Sequence, residues 1–294
     1  MNVVLNNITC NYRGFLAVAK LASDLKGLDS ETMSIDMSPV TFVAANMCAS
    51  IGAVLYEARS RKNAIRVQGT NTWVRDILLR NGFLCPYIGT PPIAVRRGTV
   101  IEYQEFEGQD FPPSHDSIFA GYVEKQLAGK GIPSMTDMVR KKFRQNIHEI
   151  FENAVVHSYT KRVFACGQLF PKKDRLDFSI ADIGIGMREN ILRKHNQELA
   201  PEQAICWAMS GTNTTKTGSV PGGNGLKLLR EFIELNGGKI HIASDRGYWE
   251  FSEGKVSVRA MEYPFPGTVV NIEINTADAK SYRLASETPS EGVS

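Results

Sequence analysis

The chain has 294 residues, a length that suits one large domain or two of ordinary size, and either can bury a core without metal or disulfide staples. Apolar residues make up 43% and charged residues 22%, a globular balance that argues against disorder and fibrous repeats. The net charge of +3 is too mild to indicate nucleic acid or a membrane surface, and five scattered cysteines without CxxC spacing argue against a disulfide framework or zinc site and suit a reducing cytoplasm.

No basic segment followed by a long apolar run opens the sequence, so no signal peptide is expected. Residues 37–56 carry no charge, which is nearly enough to span a bilayer. Pro39, Thr41, Asn46, Ser50 and Gly52 interrupt the run, and Asp36 and Glu57 flank it, so a buried strand and a buried helix are the expected reading. Residues 33–36 and 41–43 read as extended, 47–61 as helix, 64–67 as strand and 72–81 as a helix stopped by Gly82. Residues 86–114 are rich in proline and glycine and mark a connection, with one strand over 99–106 inside it. The expected organisation is a small α/β domain over 1–95, a connecting segment over 96–133, a second domain over 134–276 and a frayed polar tail over 277–294.

In the second half, 117–128 reads as helical, and Ser134 is expected to cap a long helix running to about Ser158. Residues 163–170 and 175–181 form a hairpin across Pro171-Lys172-Lys173-Asp174. Leu176, Phe178 and Ile180 alternate with Asp177 and Ser179, the period of a half-buried strand. Residues 225–236 read as a helix closed by Gly237-Gly238. Four strands are expected after it, at 239–243, 248–251, 256–261 and 268–274.

Four motifs carry chemistry. On the long helix, Glu149, Asn153 and His157 form a stripe flanking the apolar one, each four residues apart. A carboxylate there can deprotonate a water and a carboxamide oxygen can ligate Mg²⁺, although a solvated helix edge has the same pattern. Asp182-Ile183-Gly184-Ile185-Gly186 ends a strand. An ionised aspartate is acceptor-only and can receive an adenine amine, and the glycines allow a tight turn beside a flat ligand; a plain strand-ending turn looks the same. Pro221-Gly222-Gly223-Asn224-Gly225-Leu226 feeds a helix N-terminus, an anion site by its free N–H groups and dipole. The polar stretch before it, residues 211–220, carries Lys216 as its one charge and reads as a lid, mobile without nucleotide. Gly267-Thr268 enters a closing strand and offers a hydroxyl, or simply β propensity.

The order of these motifs resembles the GHKL ATPase superfamily over residues 134–275. Phe151-Glu152-Asn153-Ala154-Val155-Val156-His157-Ser158 is most similar to the anti-sigma-factor serine kinases within it. The resemblance implies a Bergerat-fold α/β sandwich, a mixed sheet with helices on one face, that binds ATP and Mg²⁺. It makes Glu149 the general base, Asn153 the Mg²⁺ ligand and Asp182 the adenine-binding aspartate, with Gly184 and Gly186 lining the base. Gly223, Asn224, Gly225 and Leu226 become the phosphate loop, Lys216 a closing cation and Thr268 a hydroxyl at the adenine. Lys227 departs from the family pattern, which places a glycine there. More faintly, Ser34-Ile35-Asp36-Met37, Val40-Thr41-Phe42-Val43 and residues 74–83 resemble a STAS domain. Ala44-Ala45-Asn46 stands where anti-sigma antagonists carry Asp-Ser, which implies a docking or dimer surface without the phosphorylated serine.

The expected function is a regulatory protein with slow Mg²⁺-dependent ATPase activity, its lid coupling nucleotide state to a protein partner, with a homodimer also open. The alternatives are a serine/threonine kinase of the anti-sigma type and a non-hydrolysing ATP-sensing scaffold. A histidine kinase is disfavoured because His148 and His157 both lie inside the nucleotide helix. No membrane is expected, and Arg140-Lys141-Lys142 reads as a solvated helix face rather than a nucleic-acid patch.

Overall fold

Two sheets, one parallel and one antiparallel, organise the chain. The computed structural model describes residues 1–91, 93, 98–108, 114–210, 224–284 and 287. Strands β1 (Asn2–Val4), β2 (Thr32–Asp36) and β3 (Ala64–Gln68) pair in parallel in that order. Crossover helices α1 (Tyr12–Leu25) and α2 (Cys48–Ser60) connect them, followed by α3 (Thr72–Arg80) and the single turn α4 (Cys85–Ile88). Helix α1, absent from the sequence reading, starts where the Asn11 side chain accepts the Gly14 N–H, and it buries Phe15, Val18, Leu21 and Leu25 along one stripe.

The second sheet has the order β4-β5-β6-β8-β7, from β4 (Val100–Glu107), β5 (Arg162–Phe170), β6 (Arg175–Asp182), β7 (Lys239–Ser252) and β8 (Lys255–Asn275). Every pairing in it is antiparallel, which corrects the expected mixed sheet. The four short strands expected after residue 238 are two long ones. The turn residues between them make a bulge instead: Asp245 has φ +51°, and the register shifts there while the ladder continues.

Helices α5 (Ser114–Leu127), α6 (Asp137–His157) and α9 (Asn224–Asn236) cover one face of this sheet over a core of Phe119, Phe143, Phe151, Phe178, Ile240 and Ile272. Helices α7 (Gly186–His195) and α8 (Pro201–Met209) pack near β7. Thr136, not Ser134, caps α6: its hydroxyl accepts the Val139 N–H at 3.3 Å, while the Ser134 carbonyl is taken by Tyr282 N–H. Tyr282 also packs on Phe232 at 5.1 Å, so the start of the polar tail is docked rather than frayed. The segment 96–133 supplies β4 and α5 to the second sheet and its core.

The helices of the second half thus lie on one face of their sheet. The first unit covers the opposite face, and one hydrophobic cluster runs from Phe15, Val18, Met47 and Ile51 into Phe164, Cys166, Ala181, Tyr248 and Val269. Helix α2 is therefore wedged between two sheets, with Cys48 through Leu55 all buried. That burial on every side accounts for the uncharged run over 37–56. Among the described residues no helix is long and apolar enough to cross a membrane.

Candidate functional site

The site grows from the end of β6. Asp182 stands opposite Thr268 in the β6–β8 register. Its Oδ1 accepts the Gly184 N–H at 2.8 Å and the Thr268 N–H at 3.3 Å, and only 4% of the residue is exposed. Burial pushes its carboxyl up to about 7, against the pull of these two bonds and of the Ser158 hydroxyl toward the ionised form.

Two glycines make the site close. A Cβ on Gly184 would lie 2.0 Å from the Ser158 carbonyl oxygen, which also accepts the Ile185 N–H at 2.8 Å. The turn after Asp182 is thus pressed against the end of α6. Gly267 has φ +118°, and its Cβ would lie 2.3 Å from the Asp182 carbonyl oxygen. Gly186, also at positive φ, opens α7.

Ser244 ties these parts together. Its Oγ donates to the Gly267 carbonyl at 3.0 Å, accepts the Met187 N–H at 3.0 Å and lies 3.0 Å from the Thr268 hydroxyl. With its own proton on Gly267, the Thr268 hydroxyl is left as donor to it. The sequence reading missed Ser244, which lies in no motif, and the role of the Ser158 carbonyl at the end of the α6 motif, because both meet backbone groups brought close only by the fold.

Asp182, Gly184, Gly186 and Thr268 therefore converge, although Gly267-Thr268 is far from the others in the chain. Glu149 and Asn153 are half-buried one turn apart on α6, and Asn153 precedes Ser158 by five residues, roughly 7–8 Å along a helix axis. Phe143, early in α6, packs on Phe232, late in α9, at 5.0 Å. The start of α9 belongs to the same core. Leu226 is buried there, while Lys227 is exposed. The backbone of Asn224 and Gly225 forms the first turn of α9; Lys216, Gly223 and the expected lid lie outside the described residues. No group of three or more His, Cys, Asp or Glu suited to a metal occurs among the described residues.

Asn46 is not at the surface. It is fully buried, with its Nδ2 donating to Asn271 Oδ1 at 2.9 Å and lying 3.3 Å from Ser179 Oγ. Beside it the Ala45 N–H donates to Gln168 Oε1 at 2.8 Å, and the Cys166 thiol faces the Ala45 carbonyl at 3.0 Å. The position compared with a phosphorylated serine thus docks onto this chain's own second sheet. Next to it Asp177 is buried 3.2 Å from Arg175 Nη2, and burial pushes its carboxyl up to about 7.

Compared with known protein families and with curated proteins, the chain matches neither a family model nor a curated sequence.

Proposed function

We propose that this chain is an ATP-binding regulatory protein of the GHKL type, hydrolysing ATP slowly with Mg²⁺ and signalling its nucleotide state to a protein partner. The observation that carries the reading is the Asp182 carboxylate, buried at the junction of three separate motifs and held by the N–H groups of Gly184 and Thr268. A buried acceptor fixed in this way suits the exocyclic amine of adenine, and the Thr268 hydroxyl lies beside it.

The residues on α6 suit the other end of the nucleotide. The Asn153 carboxamide oxygen would hold Mg²⁺, and Glu149 would take a proton from an attacking water. Bound Mg²⁺ supplies charge neutralisation at the phosphates. The first turn of α9 would offer the phosphates N–H groups without intrahelical partners and a positive dipole end.

Incubation with γ-labelled ATP, alone and with cell lysate, tests the reaction. Free phosphate that depends on Mg²⁺ is expected, and a labelled protein band would make the protein a kinase instead. Calorimetry tests the site: Asp182→Asn presents a donor to the adenine amine and should weaken ATP about tenfold or more, from a mismatch of about 1–3 kcal/mol. Unchanged affinity in a folded variant would remove Asp182 from the adenine.

A further inference from the structure

The β7–β8 hairpin runs on past the rest of its sheet. β6 ends at Asp182 opposite Thr268, while the β7–β8 ladder continues to Ser252 opposite Lys255. Over residues 255–260 β8 therefore has β7 on one side and, among the described residues, no strand on the other, and all six residues are exposed.

The geometry settles which groups face outward. Glu253 and Gly254, with φ +53° and +71°, are the two residues of the hairpin loop. A two-residue loop of that sign closes on a hydrogen-bonded pair, here Ser252 and Lys255. In an antiparallel ladder the N–H and C=O of one residue point to the same side and alternate along the strand. Lys255, Ser257 and Arg259 thus turn theirs to β7, and Val256, Val258 and Ala260 turn theirs outward. The Tyr12 hydroxyl agrees with this parity, donating to the Ala260 carbonyl at 2.9 Å. Among the described residues Val256 and Val258 are left with two free donors and two free acceptors on this edge.

The side chains state what fits there. Val258 lies across from Trp249 and Val256 across from Phe251; the two aromatics are buried, and the valines extend their apolar row to the edge at 43% and 45% exposed. The opposite face carries Lys255 and Arg259, neither with an ion pair among the described residues. Arg259 lies over the Tyr12 ring at 5.2 Å, and the nearest cross-strand carboxylate, Glu250, is held by the Tyr248 hydroxyl at 2.6 Å. A second copy of the chain is a poor occupant. Antiparallel self-pairing across Val256 and Val258 sets Lys255 opposite the other copy's Arg259, and like charges directly opposite are destabilising.

We propose that the outer edge of β8 over residues 255–259 is a strand-addition site for an extended acidic segment of a partner protein. The segment places apolar residues opposite Val256 and Val258 and carboxylates opposite Lys255 and Arg259, and it hydrogen-bonds to the two valine backbones. This site lies on the hairpin extension and is independent of the nucleotide reading.

The probe is a blocked peptide containing Glu-Val-Thr-Val-Glu, titrated into the ¹⁵N-labelled full chain, with Lys-Val-Thr-Val-Lys as control. Saturable shifts confined to the 247–260 hairpin are expected, with the acidic peptide binding at least tenfold more tightly. Val258→Pro removes one outward N–H and no bond to β7, a position where an edge strand tolerates proline, and should abolish binding with the circular dichroism unchanged. The double variant Lys255→Glu, Arg259→Glu should reverse the peptide preference, and it keeps every backbone group. The proposal is overturned if neither peptide saturates, or if the preference survives the charge reversal. Self-association in sedimentation that Val258→Pro removes would also overturn it, giving the edge to a second copy.

Discussion

Asp182 and Asp177 are two carboxylates on one strand that burial pushes to about 7 for different ends. At Asp182 the proposed function needs the ionised form to accept from an adenine amine, so on that reading protonation competes with the nucleotide. ATP affinity should fall as pH drops through about 7, to about one tenth of its plateau at pH 6, and Asp182→Asn should flatten the profile. Calorimetry between pH 6 and 8.5 checks this, and a flat wild-type profile would refute it. Asp177 has no ligand to explain it, and its consequence is for stability. Its folded pKa is raised from an ordinary 3.8, so between about pH 4 and 7 the native state holds a proton that the unfolded chain has released. Stability from this group therefore falls as pH rises through that window, and the full penalty is present above 7. Asp177→Asn should match wild type most closely at or below about pH 4 and gain on it by roughly 1–4 kcal/mol toward pH 8, read from urea melts at each pH. A constant difference across pH would show that Asp177 is not buried as described.

At the scale of elements, the proposed function gives α6 two roles that separate cleanly by substitution. Glu149→Ala removes a group needed in the transition state, so turnover should drop by roughly 10²–10⁴ while Mg·ATP affinity stays within a few fold. Asn153→Ala should instead abolish the effect of Mg²⁺ on ATP binding. Full turnover in both variants would detach α6 from the chemistry. The helix was legible in the sequence because its apolar stripe over Phe143, Ile147, Ile150, Phe151 and Ala154 is buried as its spacing demands. Its cap was misplaced by two residues because Ser134 and Thr136 are equally good caps locally, and only the pairing of Ser134 with Tyr282 decides between them. Helices α7 and α8 went unread, since six of the ten residues of α7 are polar or charged and α8 opens on Ala200, which has no side-chain cap. The break expected between 243 and 248 was a bulge, because a residue that favours a turn also suits a strand whose register shifts. Of the candidate site, the motif residues were legible and their mutual distances were not; Ser244 makes the junction through backbone groups and leaves no spacing to read.

For the whole molecule, the alternation in β6 was read correctly and its meaning was not. Leu176, Phe178 and Ile180 face the helices, but Asp177 and Ser179 face the first unit rather than water, and both are buried. Cross-strand register lines up Gln168, Asp177, Glu273 and Lys239 in one row of that face, and Cys166, Ser179, Asn271 and His241 in the next. A polar face is indistinguishable in sequence from a solvated one until something docks on it, and here Asn46 does. The docking binds the two units into one folding unit, because Phe164, Ala181, Tyr248, Phe265 and Val269 of the second sheet lie in the same cluster as Phe15 and Ile51. A fragment of residues 98–294 would present those side chains to water on the face the first unit covers, a loss of burial that leaves too little to offset chain entropy. It should bind a hydrophobic dye and melt without a cooperative transition, whereas the full chain should show one. Asn46→Ala in the full chain keeps both units together but removes a buried amide that bonds Asn271, and should cost about 1–3 kcal/mol. That loss should lower the single transition as a whole. A melt that splits in two, or a fragment as stable as the intact protein, would mean the units fold separately and the first merely rests on the second.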